Sequence, residues 1–421
     1  MNDQAVSTVQ QQSIKIGKET FYADKAFYHG THRLVPPDQT LQNIWRVAPA
    51  VGLTRIADIT GLDRIGIPTA VGIRPNAPSL AVSGGKGFTV QAASASAGME
   101  AIEIWHAENV RNNVFLETHA NLELSSLVAP MHLLAPTRNS LFDQHQPEPW
   151  VMGWDLIRQC EMAVPLLNVS MGNSDYRRNM RWLPFASGSN GLAGGNHLLE
   201  ALAAALYELI ERDAIACSAI SGSITDKRVD LKSTSDPLVC SLLDQFEAAS
   251  INVYLYDCTV DTNIPTYMAA IEDRLDITMG LYKGYGAHLD PAIAMIRALT
   301  EAAQARLLLI AGSRDDYFSR DQKINRNMSS NRVESFALPE TITANAHSSQ
   351  ATKSFGGDIN VILDHIREVG LDSAIVVNLT HEDLGIPVVR VIVPGLEGYM
   401  FDHYQPGWRA KTYRTRLETV K

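Results

Sequence analysis

The sequence predicts an α/β (α+β mixed) fold in which helices pack on mixed β-sheets. Short runs of β-branched residues that end in glycine or proline alternate with long alanine- and leucine-rich runs, and these are typical of strands and helices respectively. The chain has 421 residues, of which 45% are hydrophobic and 19% charged, an ordinary globular composition. We expect a disordered or extended lead-in over residues 1–25 and a single multi-lobed domain over residues 26–421.

The N-terminal half is predicted to contain strands followed by a helix. Residues 50–85 comprise the runs GLTRIAD, GIPTAVGI and PSLAVSGG, each of which combines strand-forming residues with turn residues. Residues 91–110 are rich in alanine and lack proline, so they predict a helix. Residues 111–180 are rich in Asn, Pro and Trp, and we expect them to be irregular.

The C-terminal half is predicted to begin with the strongest helix of the chain, over residues 195–217. Two strands are expected within residues 251–283, from INVYLYDC and TYMAAIED…ITMGLY, and a second Ala/Leu-rich helix over residues 291–312. Residues 313–358 are polar and are either a lid or a plain surface loop. Residues 359–400 predict a closing helix and two strands.

Charge and hydropathy exclude several classes of function. The net charge is −10 and the chain has no block of Lys and Arg with interleaved aromatic residues, which disfavours a nucleic-acid partner. No apolar run approaches the roughly 18 residues of a membrane span, and the N-terminus lacks the apolar core of a secretory signal. We therefore expect a cytoplasmic protein without a membrane partner. An acidic protein that handles phosphates needs local cations or a divalent metal.

The four cysteines give little indication of chemistry. Cys160, Cys217, Cys240 and Cys258 form no CxxC pair and have no zinc-like spacing with histidine. Buried, inert thiols are the favoured interpretation, although a thiolate nucleophile is not excluded by the sequence.

The most informative segment covers residues 186–214. Its glycines lead directly into a helix, where backbone amides can approach an anion. The polar residues of this helix include Asn196, Glu200, Glu208, Glu211 and Arg212. At about 100° per residue, the Asn and the carboxylates share one broad face. Magnesium among the carboxylates and a solvated acidic face are both compatible with this pattern.

Two further segments have a related pattern. SGGKG contains Lys86 and precedes a helix with Glu100 and Glu103 one turn apart, whereas Arg297 and Glu301 are four residues apart on the third helix. Neither glycine segment fits the P-loop or the GxGxxG pattern. Each segment alone is compatible with a surface pair or a local helix ion pair. Together they indicate a site built from several helices around metal and phosphate.

These segments resemble the YcaO family. The resemblance is carried by GLTRIADITGLDRIGIPT, SGGKG…ASAGMEAIE, SNGLAGGN…E…ELIERDA, RALTEAAQAR and LGIPVVRVIVPGLEG, in the family's order from about residue 28 to residue 400. The stretch GTHRLVPPDQT further resembles the YcaO branch that works with a TfuA partner protein. The resemblance implies a YcaO-like fold around a central nucleotide site.

The family also implies roles for individual residues. ATP and Mg2+ would be the cofactors, and the magnesium ligands would be Glu100, Glu103, Glu200, Glu208 and Glu211. The nucleotide would be contacted by Asn196, Arg212, Arg297 and Glu301. Arg33 and Thr40 match the family's basic and hydroxyl pair near the start, and Lys86 lies in a family glycine loop. No general base can be named from the sequence.

The family reaction activates a backbone amide of a precursor peptide with ATP. Sulfide as the nucleophile gives a thioamide, whereas a neighbouring Cys, Ser or Thr of the substrate gives an azoline. The chain ends PGWRAKTYRTRLETVK, without the PxPxP tail of many azoline-forming members. The missing tail and the TfuA-like stretch favour thioamidation with a TfuA-type partner, and the family resemblance implies a homodimer. The alternatives are an azoline-forming cyclodehydratase and an ATP-binding accessory or regulatory protein.

Overall fold

The computed structural model describes residues 12–134, 142–172, 185, 188–314, 339–398 and 404–420. The chain divides into two compact units. One comprises residues 1–25, 103–221 and 352–421, and the other residues 26–102 and 222–351. In the lead-in, Ile14–Ile16 (β1) and Glu19–Phe21 (β2) form an antiparallel hairpin, so its described part is extended. The division into a lead-in and a single domain over residues 26–421 stays a prediction.

The three longest helices of the described residues match predicted ones within a few residues, whereas α1, α6 and α9 were not predicted. The α-helices of the described residues are α1 (Pro37–Val51), α2 (Val90–Glu108), α3 (His119–Leu124), α4 (Leu166–Val169), α5 (Leu198–Ser221), α6 (Pro237–Ala248), α7 (Pro291–Ala311), α8 (Phe355–Glu368) and α9 (Trp408–Val420). Asp290 caps α7 by accepting the amides of Ala292 and Ile293, as expected for an acidic N-cap followed by proline. Among the described residues, no helix has the length and hydropathy needed to span a membrane.

The described residues of the unit that comprises residues 26–102 and 222–351 form four small sheets. Their strands are β3 (Ala26–Phe27), β4 (His32–Arg33), β5 (Arg55–Asp58), β6 (Thr69–Ile73), β7 (Val82–Lys86), β12 (Val229–Asp230), β13 (Ile251–Asp257), β14 (Thr266–Asp273), β15 (Leu281–Ala287) and β16 (Ile342–Thr343). The sheets β3-β4, β5-β6-β7 and β13-β14-β15 are antiparallel, and β12 pairs with β16 in parallel. Helix α7 packs on β14, β15 and β7, and buries an apolar core with α6.

The segment predicted as two strands within residues 251–283 forms parts of three. The run TYMAAIED…ITMGLY is interrupted by a turn, because the Asp273 carboxylate accepts the amides of Leu275 and Asp276. A 3-10 turn at Ile277–Met279 follows, and the chain then returns as β15. Such local carboxylate bonds close turns inside a run that is otherwise strand-forming.

The other unit is built on one antiparallel sheet. Its strands are β8 (Val114–Thr118), β9 (Pro147–Asp155), β10 (Cys160–Pro165), β11 (Leu192–Gly194), β17 (Ile375–Asn378) and β18 (Val388–Ile392). The order is β10-β9-β17-β18-β11, and β8 also pairs with β9. Helix α5 packs on β11 and β18 and is covered by α8 and α9. The two units together confirm the predicted mixed α/β class.

The prediction that residues 111–180 are irregular is wrong for the described part. Strands β8, β9 and β10 and helices α3 and α4 lie in this range. The alternation of apolar and polar residues that marks a strand is obscured in β9 by Pro147, Pro149 and the tryptophans. The sheet forms by pairing between separate segments of the chain. Trp150 is fully buried, so burial against the sheet decides the structure over local propensity. Of the polar stretch 313–358, residues 315–338 lie outside the described residues.

Candidate functional site

Each glycine-rich segment contains a strand that is followed by a short turn and a helix, although Gly188, Gly191 and Gly195 lie outside the strand of the second segment. Gly84 and Gly85 lie in β7 before α2, and Gly194 lies in β11 before α5. The reason at Gly85 is steric, because a Cβ there would stand 2.1 Å from the Ala93 carbonyl oxygen and 2.2 Å from the Ala97 nitrogen. Helix α2 therefore lies directly on the strand backbone.

The amides of these glycine strands bind anions, as the sequence suggests, and the anions are the carboxylates of α2. The Gly84 amide donates to Glu100 Oε2 at 2.8 Å. In the other unit, the Gly194 amide donates to Glu103 Oε1 at 2.7 Å. A backbone donor on one oxygen fixes the orientation of each carboxylate. Glu100 and Glu103 are thus held in place from two separate strands.

Lys86 and Glu301 form a half-buried ion pair. Glu301 Oε1 also accepts the amide of Tyr285 in β15, at 3.3 Å. This contact depends on Gly284, where a Cβ would lie 2.2 Å from the nitrogen of Ala302 in α7. The structure therefore joins Lys86, from the glycine-rich strand, to a residue of the third predicted helix.

Arg33 and Arg297 are brought to the same part of their unit. Arg33 lies on β4 of the β3-β4 hairpin, where its Nη1 donates to the His32 carbonyl at 3.1 Å. The hairpin packs on α7 through Gly30, at which a Cβ would lie 3.1 Å from Ile296 Cδ1. Ile296 is the neighbour of Arg297. The hairpin that carries Arg33 therefore packs on α7, the helix that carries Arg297. Guanidinium groups suit phosphate oxygens.

Thr40 is buried in the first turns of α1. Its hydroxyl donates to the Pro36 carbonyl at 3.4 Å, one turn earlier. The structure therefore gives Thr40 a local role in the start of the helix, and its predicted contact with phosphate stays a prediction.

The acidic residues of α5 are not a solvated face. Glu200 and Glu211 are only 4% and 1% exposed. Asn196 Nδ2 donates to Glu200 Oε1 at 3.5 Å, and Arg212 Nη1 lies 3.2 Å from Glu211 Oε1. Burying carboxylates is costly without cations or donors beside them. These oxygen donors fit Mg2+, which prefers carboxylates to softer ligands.

Arg390 is a residue that the sequence analysis missed. It lies in β18, is 1% exposed, and donates to the carbonyls of Asn190, at 2.9 Å, and Gly188. Burial lowers the pKa of the Arg390 guanidinium to about 10, although the charge of Glu208 opposes the shift. It stays charged at neutral pH and fixes the turn before β11 and α5. A lone arginine in the apolar run PVVRVIVPG is the signal that could have indicated it.

His197 also lies at the start of α5. Its Nδ1 accepts the Leu199 amide at 3.1 Å, and burial lowers the pKa of the imidazole. A neutral ring with its proton on Nε2 satisfies both observations. The side chain therefore caps the helix immediately after Asn196.

All four cysteines are in the thiol form, and two of them are buried. Cys217 and Cys258 are buried, and burial raises the pKa of the Cys258 thiol. Cys160 and Cys240 are half-buried. This agrees with the interpretation of inert thiols for the buried pair.

Replacing Arg390 by leucine is expected to destabilise the protein by about 3–5 kcal/mol, because two carbonyls and Glu208 lose a buried positive charge. Urea unfolding measures the effect. Arg158→Leu is the matched control, since Arg158 pairs with the exposed Asp372 at 2.9 Å and its loss should cost about 1 kcal/mol or less. Equal unfolding midpoints for the two variants would contradict the anchoring role of Arg390.

Comparison with known families identifies one that matches most of the chain. A family model described as the ATP- and Mg2+-binding YcaO cyclodehydratase matches residues 84–397. An uncharacterized protein of Methanothermobacter thermautotrophicus is 39% identical over 394 residues, covering 90% of this chain and 98% of its own. A protein encoded in the tfuA 3' region of Rhizobium leguminosarum bv. trifolii is 34% identical over 400 residues, covering 91% of this chain and 92% of its own.

Solved structures show the same fold. The YcaO protein of Methanopyrus kandleri bound with AMPPCP and Mg2+ has a TM-score of 0.70 at 24% identity, covering 92% of this chain and 98% of that one. A heterocyclase in complex with substrate and cofactor has a TM-score of 0.80 at 23% identity. The match covers 97% of this chain and 58% of the heterocyclase, so the present chain spans little more than half of that protein's length.

Proposed function

Because this chain belongs to the YcaO family, we propose that it uses ATP and Mg2+ to activate a backbone amide of a peptide substrate. The family is described as ATP- and Mg2+-binding, which confirms both cofactors expected from the sequence. The observation that carries the proposal is the burial of Glu200 and Glu211 on α5, beside Arg212. Buried carboxylates next to a phosphate-binding cation are the arrangement that a metal–nucleotide complex requires.

In the proposed mechanism the residues divide into metal-binding and nucleotide-binding groups. Mg2+ would be held by Glu100, Glu103, Glu200, Glu208 and Glu211, and when bound it neutralises phosphate charge. The nucleotide would be held by Arg33, Thr40, Lys86, Asn196, Arg212, Arg297 and Glu301. A nucleophile adds to the amide carbon, and the resulting oxyanion attacks the γ-phosphate of ATP, which breaks the bond to the β-phosphate and releases ADP. Loss of phosphate removes the amide oxygen, while the arginines stabilise the developing charge.

We favour thioamide formation with a TfuA-type partner. The similarity to a protein encoded beside tfuA, together with the stretch GTHRLVPPDQT, supports this choice. The azoline-forming alternative is favoured by the cyclodehydratase description of the family. An ATP-binding accessory protein is disfavoured because it has no need of this many buried and ordered carboxylates. The homodimer expected from the resemblance is part of the same proposal.

Calorimetry on the purified chain tests the proposed ATP site. We expect ATP to bind in the presence of Mg2+ and to lose most of its affinity when a chelator removes the metal, because the carboxylates repel phosphate without it. Absence of binding in both conditions, with and without a TfuA-type partner, would overturn the proposal.

Mass spectrometry of a modified precursor peptide then distinguishes the two reactions. With ATP, Mg2+, sulfide and the TfuA-type partner, we expect a product in which one oxygen is exchanged for sulfur. A product that has lost one water, formed without sulfide, would establish azoline formation instead. ATP binding with no turnover of any precursor peptide would favour the accessory role.

A further inference from the structure

We infer that Asp213, Glu397 and Arg409 form a C-terminal clamp that positions the metal-binding part of α5. The inference rests on the proposed function, since it concerns how Glu211 and Arg212 are held in the orientation that binds Mg2+ and nucleotide. In the proposal, the clamp residues contact neither Mg2+ nor the nucleotide, so they are positioning residues. Asp213 lies at the end of the family motif ELIERDA, and Arg409 lies in α9, the last of the described helices.

Asp213 is the centre of the clamp. It is fully buried, and Arg409 Nε in α9 lies 2.8 and 2.7 Å from its two carboxylate oxygens. The Glu397 amide donates to Asp213 Oδ1 at 3.0 Å. One carboxylate on α5 therefore holds both the motif VPGLEG and the C-terminal helix.

Glu397 contacts the N-terminal end of the same helix. Its Oε2 accepts the Tyr404 hydroxyl at 2.6 Å and the Gly407 amide at 2.9 Å. Its Oε1 accepts the Ala410 amide at 2.8 Å. The side chain thereby satisfies amides of the first turn of α9, where a negative charge is also favoured by the helix dipole. Glu397 lies in a motif of the sequence that the metal and nucleotide sites leave unexplained.

The clamp adjoins the site along α5. Glu211, Arg212 and Asp213 are consecutive, so their side chains leave the helix about 100° apart. Asp213 points to α9 while Glu211 and Arg212 pair with each other. Any rotation or shift of this helical turn moves all three side chains together. Directional bonds from Asp213 to two separate segments thus define the orientation of the pair beside it.

Asp213 and Arg409 form a buried ion pair, and this favours a role in positioning α5 over a role in stability alone. A buried salt bridge contributes little net stability compared with apolar residues of similar size, because both charges are desolvated. Its directional bonds instead impose one geometry, whereas apolar contacts are non-directional. A metal site depends on such geometry, because ligands must be held within about 0.5 Å of their productive positions.

The double substitution Asp213→Leu with Arg409→Met tests the clamp. It replaces the ion pair by apolar side chains, which should preserve folding, while the Glu397 amide loses its acceptor and lowers the unfolding midpoint modestly. We expect the apparent affinity for Mg2+ in the presence of ATP to fall about tenfold, the usual scale for losing an outer support of a metal site. A folded double variant with wild-type Mg2+ affinity would overturn the inference.

A second variant decides the question if the double variant does not fold. Arg409→Lys keeps the positive charge but cannot reproduce the guanidinium geometry. We expect this variant to fold and to lose Mg2+ affinity several-fold. Unchanged Mg2+ affinity in Arg409→Lys would equally overturn the inference.

The matched control is Asp155→Asn, in the same unit. Asp155 is a fully buried carboxylate that accepts the Ser373 hydroxyl at 2.6 Å and the Ala374 amide at 3.2 Å, between β9 and β17. This variant should lose stability without losing Mg2+ affinity. An equal loss of Mg2+ affinity in the control would show that the effect is general destabilisation. Failure of the wild-type protein to bind ATP with Mg2+ would count against the proposed function, not against the clamp.

Discussion

Substituting Glu208 with glutamine is expected to lower the Mg2+-dependent affinity for ATP by about 100-fold while the protein stays folded. Glu208 is half-buried on α5, where its charge acts on the buried guanidinium of Arg390. Glutamine has nearly the same shape, so the packing of α5 is preserved. It removes the negative charge on which binding of a hard divalent cation depends.

Calorimetry with Mg2+ and then with chelator measures this effect. Wild-type protein should show a large difference between the two conditions, and Glu208→Gln almost none. Glu100→Gln, on α2, should behave in the same way. Glu247→Gln is a suitable control, because Glu247 forms an exposed pair with Arg274 at 2.8 Å. Unchanged affinity in both Glu208→Gln and Glu100→Gln would contradict the assignment of these carboxylates to the metal.

The helices that carry the candidate site could be predicted from the sequence because each is long, rich in alanine and other helix-forming residues, and free of proline after its first residue. Helices α2, α5 and α7 need no knowledge of distant partners, since composition and the lack of proline already favour them. The spacing of Glu200, Glu208 and Glu211 along one such helix was likewise visible. The sequence does not decide whether that face of the helix is exposed to solvent. In the structure, Glu200 and Glu211 are buried.

The parts that could not be predicted depend on contacts between distant segments. Strand β9 contains two prolines, and its pairing with β8, β10 and β17 is not encoded in local periodicity. Arg390 acts on a turn about 200 residues earlier in the chain. The bond between Asp213 and Arg409 has the same long range. No spacing rule links such residues, because their proximity is a product of the completed fold.

The sequence correctly places the glycines of SGGKG directly before a helix. Their structural role differs from the loop that the sequence suggests. Read as a loop, they provide amides for a phosphate. In the structure, Gly84 and Gly85 lie in β7, and the Gly84 amide binds Glu100 Oε2 at 2.8 Å. A side chain at Gly85 is excluded by the backbone of α2, and one at Gly84 would meet Gln304 and Leu308 of α7. The glycines therefore act indirectly, by fixing the helix that carries Glu100, a proposed magnesium ligand.

Substituting Gly85 with alanine is accordingly expected to destabilise the protein by about 3 kcal/mol or more, the upper part of the range for overpacking. The added Cβ would stand 2.1 Å from the Ala93 oxygen and 2.2 Å from the Ala97 nitrogen. Both are backbone atoms of α2, so no rotation of a side chain can relieve the clash. Strand β7 and α2 must separate, and the bond between Gly84 and Glu100 is lost with them.

Urea unfolding with and without Mg2+ and ATP tests this prediction. Gly85→Ala should unfold at a lower urea concentration than the wild type and gain less stability from the nucleotide, because Glu100 is displaced. Gly61→Ala is the control, since a Cβ at Gly61 meets no atom within 4 Å and should change stability by about 0.5 kcal/mol or less. If Gly85→Ala unfolded like the control, α2 would not rest on β7. The glycine would then have to be explained by an approach of the nucleotide itself.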